Sequence, residues 1–383
     1  MDNANFTYPA EEVIQEIMRV YRESYGVPRA EIGHDIELRA YDELWRAREI
    51  IAKKINASPE EIIFTSGTSE SNNLAIKGYM RWYRKNKGKG KIITTPIERR
   101  CILHSANRMG EEGHTVARVS VDGEGFINME ELQDKIRDAT LLTMHHANHE
   151  IGVIQDIKAM ADLAEDAGAI FHVDATHSFL RERIDVNEMS IDMLTISAHT
   201  VHGPLGVGAL YVREGLKILP MIEGDTLEFG LRAGAQNIAD IAGFAKAVEI
   251  YKEEDVNYMR KLQKKLLEGL MEIEESYLNG PPPEKGKRVC DNINISFRGA
   301  EGEAIMLLAN HKGLIIRTGS ACYSESLEPS YVIRALGKTY EDANSSTRFS
   351  LSRYNTEEEI KKAVEIMKEN IDRLRAMSPV WRR

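Results

Sequence analysis

Between residues 62 and 196, short apolar runs alternate with longer amphipathic stretches, and this constrains the fold more than any other feature. The runs are Ile62-Ile63-Phe64, Lys91-Ile92-Ile93-Thr94, Thr140-Leu141-Leu142-Thr143-Met144, Ile170-Phe171-His172-Val173 and Met193-Leu194-Thr195-Ile196. A short run that is apolar at successive positions has no side to show to water. It suits a strand covered on both faces, as in a parallel sheet with crossover helices. The chain therefore reads as α/β with a mainly parallel sheet. Ligands of such sheets bind beyond the carboxyl ends of the strands. The His- and Asp-bearing segments of this chain fall at those ends: His146 and His149, then Asp174 and His177, then Ser197, His199 and Thr200.

Residues 10–24 and 35–54 carry apolar positions at three- and four-residue spacing and read as helices. Residues 239–277 read as helical up to Asn279-Gly280-Pro281-Pro282-Pro283, the clearest boundary in the chain. Beyond it Asn292-Ile293-Asn294-Ile295-Ser296-Phe297 alternates like a half-exposed strand, and a helix is expected around 356–376. The 383 residues suit one large and one small lobe. The net charge of −10 argues against general nucleic-acid binding. No apolar stretch approaches the roughly 20 residues that span a bilayer. Met1 leads directly into Asp2-Asn3 with no targeting pattern, so a cytoplasmic location is expected. Cys101, Cys290 and Cys322 make neither a disulfide framework nor a Cys-x-x-Cys site, and Cys101 and Cys290 are expected to be structural.

Seven segments in order carry a resemblance. They are Asp2-Asn3-Ala4, Phe64–Ala75 with its core Ser66-Gly67-Thr68-Ser69-Glu70, His146–Gly152 and His172–Ser178. Ser197-Ala198-His199-Thr200-Val201-His202-Gly203-Pro204 follows, and then Gly319-Ser320-Ala321-Cys322 and Arg348–Tyr354. Together they resemble the cysteine desulfurases of the class V aminotransferase family. That resemblance implies the pyridoxal phosphate (PLP) transferase fold of type I. Its large domain has three layers around a mainly parallel sheet and would cover residues 15–255. A smaller α+β domain would be built from residues 1–14 and 256–383. It also implies a homodimer.

The resemblance assigns roles residue by residue. Asp174 stands where the family pairs a carboxylate with the cofactor's pyridine nitrogen, and Thr68, Ser69, Ser197 and His199 stand in its phosphate cup. Arg348 stands where a guanidinium holds the substrate carboxylate. Cys322 stands where the family's cysteine receives sulfur as a persulfide. Thr200, however, occupies the position of the lysine that holds PLP as an imine. Arg99 replaces the histidine that stacks on the ring, while His149 and His177 replace an asparagine and a glutamine. Ala235 and Glu223–Glu228 also depart from the pattern around the partner subunit's phosphate contact.

The reading is a desulfurase-like protein of sulfur transfer or iron–sulfur cluster assembly. Cys322 would be persulfide carrier or cluster ligand, working with a scaffold or sulfur-acceptor protein. PLP is expected not to be covalently bound, or to be absent. One alternative is a slow desulfurase with non-covalent PLP. Another is a metal-binding or non-catalytic subunit using His149, Asp174, His177 and His199, since imidazole and carboxylate are ordinary zinc or iron ligands.

Overall fold

The structure is a computed structural model that describes residues 1–28, 33–319, 328–378 and 381. Seven strands form the first sheet: β1 (Ile62–Thr65), β2 (Lys91–Thr94), β3 (Thr115–Arg118), β4 (Leu141–His145), β5 (Ile170–Asp174), β6 (Met193–Ser197) and β7 (Gly208–Val212). Their order is β1-β7-β6-β5-β4-β2-β3, and all are parallel except β7, which runs against both neighbours. The two faces of the strands feed separate cores. Phe64, Leu142, Phe171 and Leu194 pack with Leu44, Ile51, Met160 and Phe244. Ile63, Leu141, Met193 and Leu210 pack with Ile76, Met80, Ile102 and Met109. Each strand residue therefore enters one helical layer or the other, which is why the runs are apolar at nearly every position. β3 carries no such run because it is a half-exposed edge strand.

Four antiparallel strands form the second sheet: β8 (Ser276–Leu278), β9 (Asn292–Phe297), β10 (Arg317–Thr318) and β11 (Ser346–Ser350), in the order β10-β11-β9-β8. It packs on the helices Glu253–Met271 and Glu357–Met377.

Two expectations need correction. The stretch 239–277 is not one helix: Ile238–Ile250 ends at Tyr251, and a second helix, Glu253–Met271, starts after Lys252. The break falls where Glu253-Glu254-Asp255 crowd negative charge, which favours a helix N-terminus. The Asp255 carboxylate also accepts from the Lys252 N–H (3.1 Å). β9 is not half-exposed either, being buried along its whole length. Its polar residues bond to buried groups. The Asn292 and Asn294 amides donate to the Glu150 carbonyl (3.1 and 3.3 Å), and Ser296 donates to the Asp342 carbonyl (2.6 Å). A polar face that finds partners need not meet water.

The N-terminal segment bridges the two sheets. The Ser350 N–H donates to the Met1 carbonyl (2.9 Å), and the Ala4 N–H donates to Ser350 Oγ (2.8 Å). Thr7 and Ala10 then donate their N–H groups to the carbonyls of His199 (2.8 Å) and His202 (3.0 Å), just past β6. The second sheet is thereby anchored to the strand ends of the first.

Candidate functional site

Asp174 ends β5 and is 1 % exposed. One carboxylate oxygen accepts from the Asn72 amide (2.9 Å), and the other accepts from the Thr176 N–H (2.9 Å). Thr176 Oγ1 bonds Thr68 Oγ1 (3.0 Å), and the Thr176 carbonyl accepts from the Thr200 hydroxyl (2.9 Å). Thr200 is fully buried, and its carbonyl accepts from Arg181 (2.6 Å), which pairs with Asp291 (2.5 Å). The Thr200 hydroxyl is thus spent on backbone inside a closed network, and it presents no amine to the site.

The cup residues gather from two strand ends. The Ser197 hydroxyl bonds His199 Nδ1 (2.7 Å), and Thr68 opens a helix directly after Gly67. Gly67 has φ +133°, open only to glycine, and a Cβ on neighbouring Gly208 would sit 2.7 Å from the Gly67 Cα. Both glycines let the backbone close around Ser197. Ser69 is exposed, and its side chain hydrogen-bonds the Cys101 thiol.

On the opposite side Arg99 donates to His177 Nε2. The His177 and His149 rings lie 6.2 Å apart, and His149 also meets Tyr331, 6.5 Å between ring centres. Burial, followed by the Arg99 charge, drives both imidazoles well below their ordinary pKa. They are neutral rings held beside a cation. The proposed metal set of His149, Asp174, His177 and His199 is not gathered: no three His, Cys, Asp or Glu side chains form a metal-holding group among the described residues. Arg99 takes the His177 nitrogen, and Asn72 with Thr176 takes the Asp174 oxygens.

Arg348, on β11, donates to the His149 carbonyl (2.9 Å) and pairs with Asp2 of its own chain (2.9 Å). Cys322 and its neighbours 320–327 lie outside the described residues. His202 joins the N-terminal segment to the end of β11: Nδ1 meets the Tyr8 carbonyl (2.9 Å) and Nε2 meets Ser352 Oγ (3.2 Å). His146 is buried beyond the end of β4.

Two residues at the site escape a reading by sequence. Cys101 lies beside Asp174: its thiol accepts from the same Asn72 amide that holds Asp174 (3.1 Å). Burial raises its pKa, with Arg99 pulling the other way, so it is a poor thiolate. Arg181, the support of Thr200, carries no motif. Its meaning arises from partners at Asp291 and Thr200 that only folding supplies.

The buried imidazoles have a consequence for stability. Burial holds His146, His172, His199 and His202 at a pKa of about 4, against the ordinary 6.5. The unfolded chain takes up these protons as pH falls through 6.5 while the folded chain resists until about 4. Stability is therefore full above 6.5 and is lost progressively between 6.5 and about 4. The denaturant midpoint should be lower at about pH 5 than at about pH 7.5. An equal or higher midpoint at the acid end would contradict these burial assignments.

The donor set tests the fit of PLP directly. Hydroxyls, an imidazole and Asp174 are present, but the position of the covalent anchor is a buried threonine with its hydroxyl engaged. Thr200 itself offers no amine to which PLP could be joined as an imine.

The family profile for "Aminotransferase class-V" matches residues 1–363. The chain is 39% identical to "Cysteine desulfurase IscS 1" of Archaeoglobus fulgidus, with 98% of each chain covered. It is 40% identical to "Cysteine desulfurase, mitochondrial" of Saccharomyces cerevisiae, covering 96% of this chain and 74% of that one. A solved structure titled "NIFS-LIKE PROTEIN" superposes with a TM-score of 0.89 at 32% identity, covering 97% of this chain and 98% of the other. With the profile spanning both sheets and these relatives matching nearly the whole of this chain, the chain belongs to the class V aminotransferase family.

Proposed function

We propose that this protein is a cysteine desulfurase-like carrier in sulfur transfer or iron–sulfur cluster assembly, with Cys322 as the working residue. Family membership implies PLP; in this reading the chain holds none as an imine. The carrying observation is Thr200, whose buried hydroxyl donates to the Thr176 carbonyl where relatives would offer an amine. Cys322 needs no such amine. A persulfide on its sulfur is transferred when an acceptor thiolate attacks the outer sulfur. The S–S bond breaks, Cys322 leaves as thiolate, and the acceptor becomes the persulfide, with no net oxidation. The persulfide itself is supplied by another persulfide-bearing thiol.

The other two thiols compete poorly. Cys290 is fully buried, and burial raises both its pKa and that of Cys101. Alkylation and persulfide labelling of wild type are compared with Cys322→Ser, Cys101→Ser and Cys290→Ser. Cys322 should react fastest, and only Cys322→Ser should abolish transfer to an acceptor thiol. An unreactive Cys322 in the folded protein, or full transfer by Cys322→Ser, would overturn the proposal.

A further inference from the structure

We propose that Glu150 is a positioning residue for Cys322: its buried carboxylate joins the two ends of the segment that carries this thiol. The proposal rests on the reading above, in which Cys322 carries the sulfur.

Ten residues, 320–329, separate Gly319 from Ser330. Each end is attached to a different part of the fold. Gly319 follows β10, whose Arg317 and Thr318 face Arg348 and Thr347 on β11. Ser330 precedes the helix Tyr331–Ala335, and the Tyr331 hydroxyl donates to the Glu98 carbonyl (2.7 Å). Neither attachment joins one end to the other. Glu150 does so. The Ser330 hydroxyl donates to Glu150 Oε1. A Cβ on Gly319 would sit 2.5 Å from that same oxygen, and nearer still to Ser330 Cβ. A side chain there would push the two ends apart.

The anchor itself is rigid. Glu150 is 5 % exposed. Its N–H donates to Asn148 Oδ1 (2.9 Å), and its carbonyl accepts from the Asn292 and Asn294 amides of β9 (3.1 and 3.3 Å). The Ser330 hydroxyl is used in both directions, because it also accepts from the Ile333 N–H (3.1 Å) at the start of the helix. An apolar pair could pack two chain ends together at less desolvation cost. A carboxylate adds a directional bond, which fixes the hydroxyl and the helix start with it.

Cys322 lies three residues beyond Gly319. Three residues span at most about 11 Å, so fixing Gly319 bounds where the thiol can be. Gly319 borders the same cavity as His149 and Arg348, which ties the thiol to the site at the strand ends. The second end matters because a chain held at both ends samples fewer positions than a chain held at one. Without the Glu150 bond, Cys322 meets free reagents in solvent more often.

Hydrogen exchange of the full chain, followed on peptides covering 319–333, tests this. In Glu150→Ala and Ser330→Ala these amides should exchange about tenfold or more faster than in wild type. Peptides covering β4 and β9 should keep their wild-type rates. The double variant should be no faster than the faster single one, since both remove the same bond. Gly319→Ala should reproduce the effect by forcing the ends apart. Glu150→Gln keeps an acceptor oxygen and should restore most of the protection. Iodoacetamide should alkylate Cys322 about threefold or more faster in the two alanine variants, and near the wild-type rate in Glu150→Gln. Circular dichroism checks folding, and Ser330→Ala carries the test where Glu150→Ala does not fold. Wild-type exchange or alkylation in the alanine variants, additive effects in the double variant, faster exchange spread over β4 and β9, or no rescue by glutamine would each overturn the proposal. None of these rates requires a persulfide. Normal sulfur transfer by Cys322→Ser would refute the carrier function and leave these rates to decide the role of Glu150.

Discussion

L-Cysteine supplied with excess PLP is expected to be converted to alanine and sulfide far more slowly than the roughly 1 s⁻¹ or faster typical of enzymes. In the proposed reading, the two groups that would move protons and exchange imines are replaced. Thr200 has a hydroxyl bonded to the Thr176 carbonyl instead of an amine, and Arg99 donates to His177. A positioned acid–base group contributes rate factors of roughly 10²–10⁴, so two losses compound. Thr200→Lys alone should recover little. The new amine would enter a fully buried position, and Arg99, His149 and His177 would still surround the ring position. Alanine and sulfide are measured together, and borohydride reduction with peptide mass spectrometry checks for a pyridoxyl adduct. Wild-type turnover near 1 s⁻¹, or a stoichiometric adduct on any lysine, would sink this account.

Glu228→Ala should destabilise the protein by about 3–5 kcal/mol. Glu228 and Arg48 form a fully buried pair (2.8 Å). Glu228 also accepts from the Phe64 N–H (2.7 Å) and from the Gln236 amide (2.9 Å). Arg48 lies 4.9 Å from the ring centre of Phe64 and 5.0 Å from that of Phe229. Removing the carboxylate strands a cation without water and frees the buried N–H of Phe64 on the edge strand β1. The cost is large against the roughly 5–15 kcal/mol that holds a typical protein folded. Glu228→Gln should cost less, because the amide oxygen still accepts one of these bonds. Replacing Arg48 and Glu228 together by apolar residues should cost less than Glu228→Ala, since no buried charge is left unpaired. Urea unfolding gives each value, and a loss under about 1 kcal/mol for Glu228→Ala would show that water reaches the pair.

The sequence by itself determined what depends on neighbours along the chain. Apolar runs such as Ile170–Val173 specify buried parallel strands, because each residue must enter one helical layer or the other. Placing Asp174, Ser197 and Thr200 just after such runs put them at one end of the sheet. That position 200 offers a hydroxyl rather than an amine is fixed by the residue alone. What only the tertiary structure decided are the partnerships between distant positions. Arg348 pairs with Asp2 across 346 positions, Arg48 pairs with Glu228 across 180, and Asn72 ties Cys101 to Asp174. The burial of β9's polar face and the facing of Arg317 on Arg348 belong to the same class. Periodicity reports which face of an element is apolar. It does not report which charge from elsewhere in the chain meets a buried polar group, because that follows from how the two sheets and the N-terminal segment close on one another.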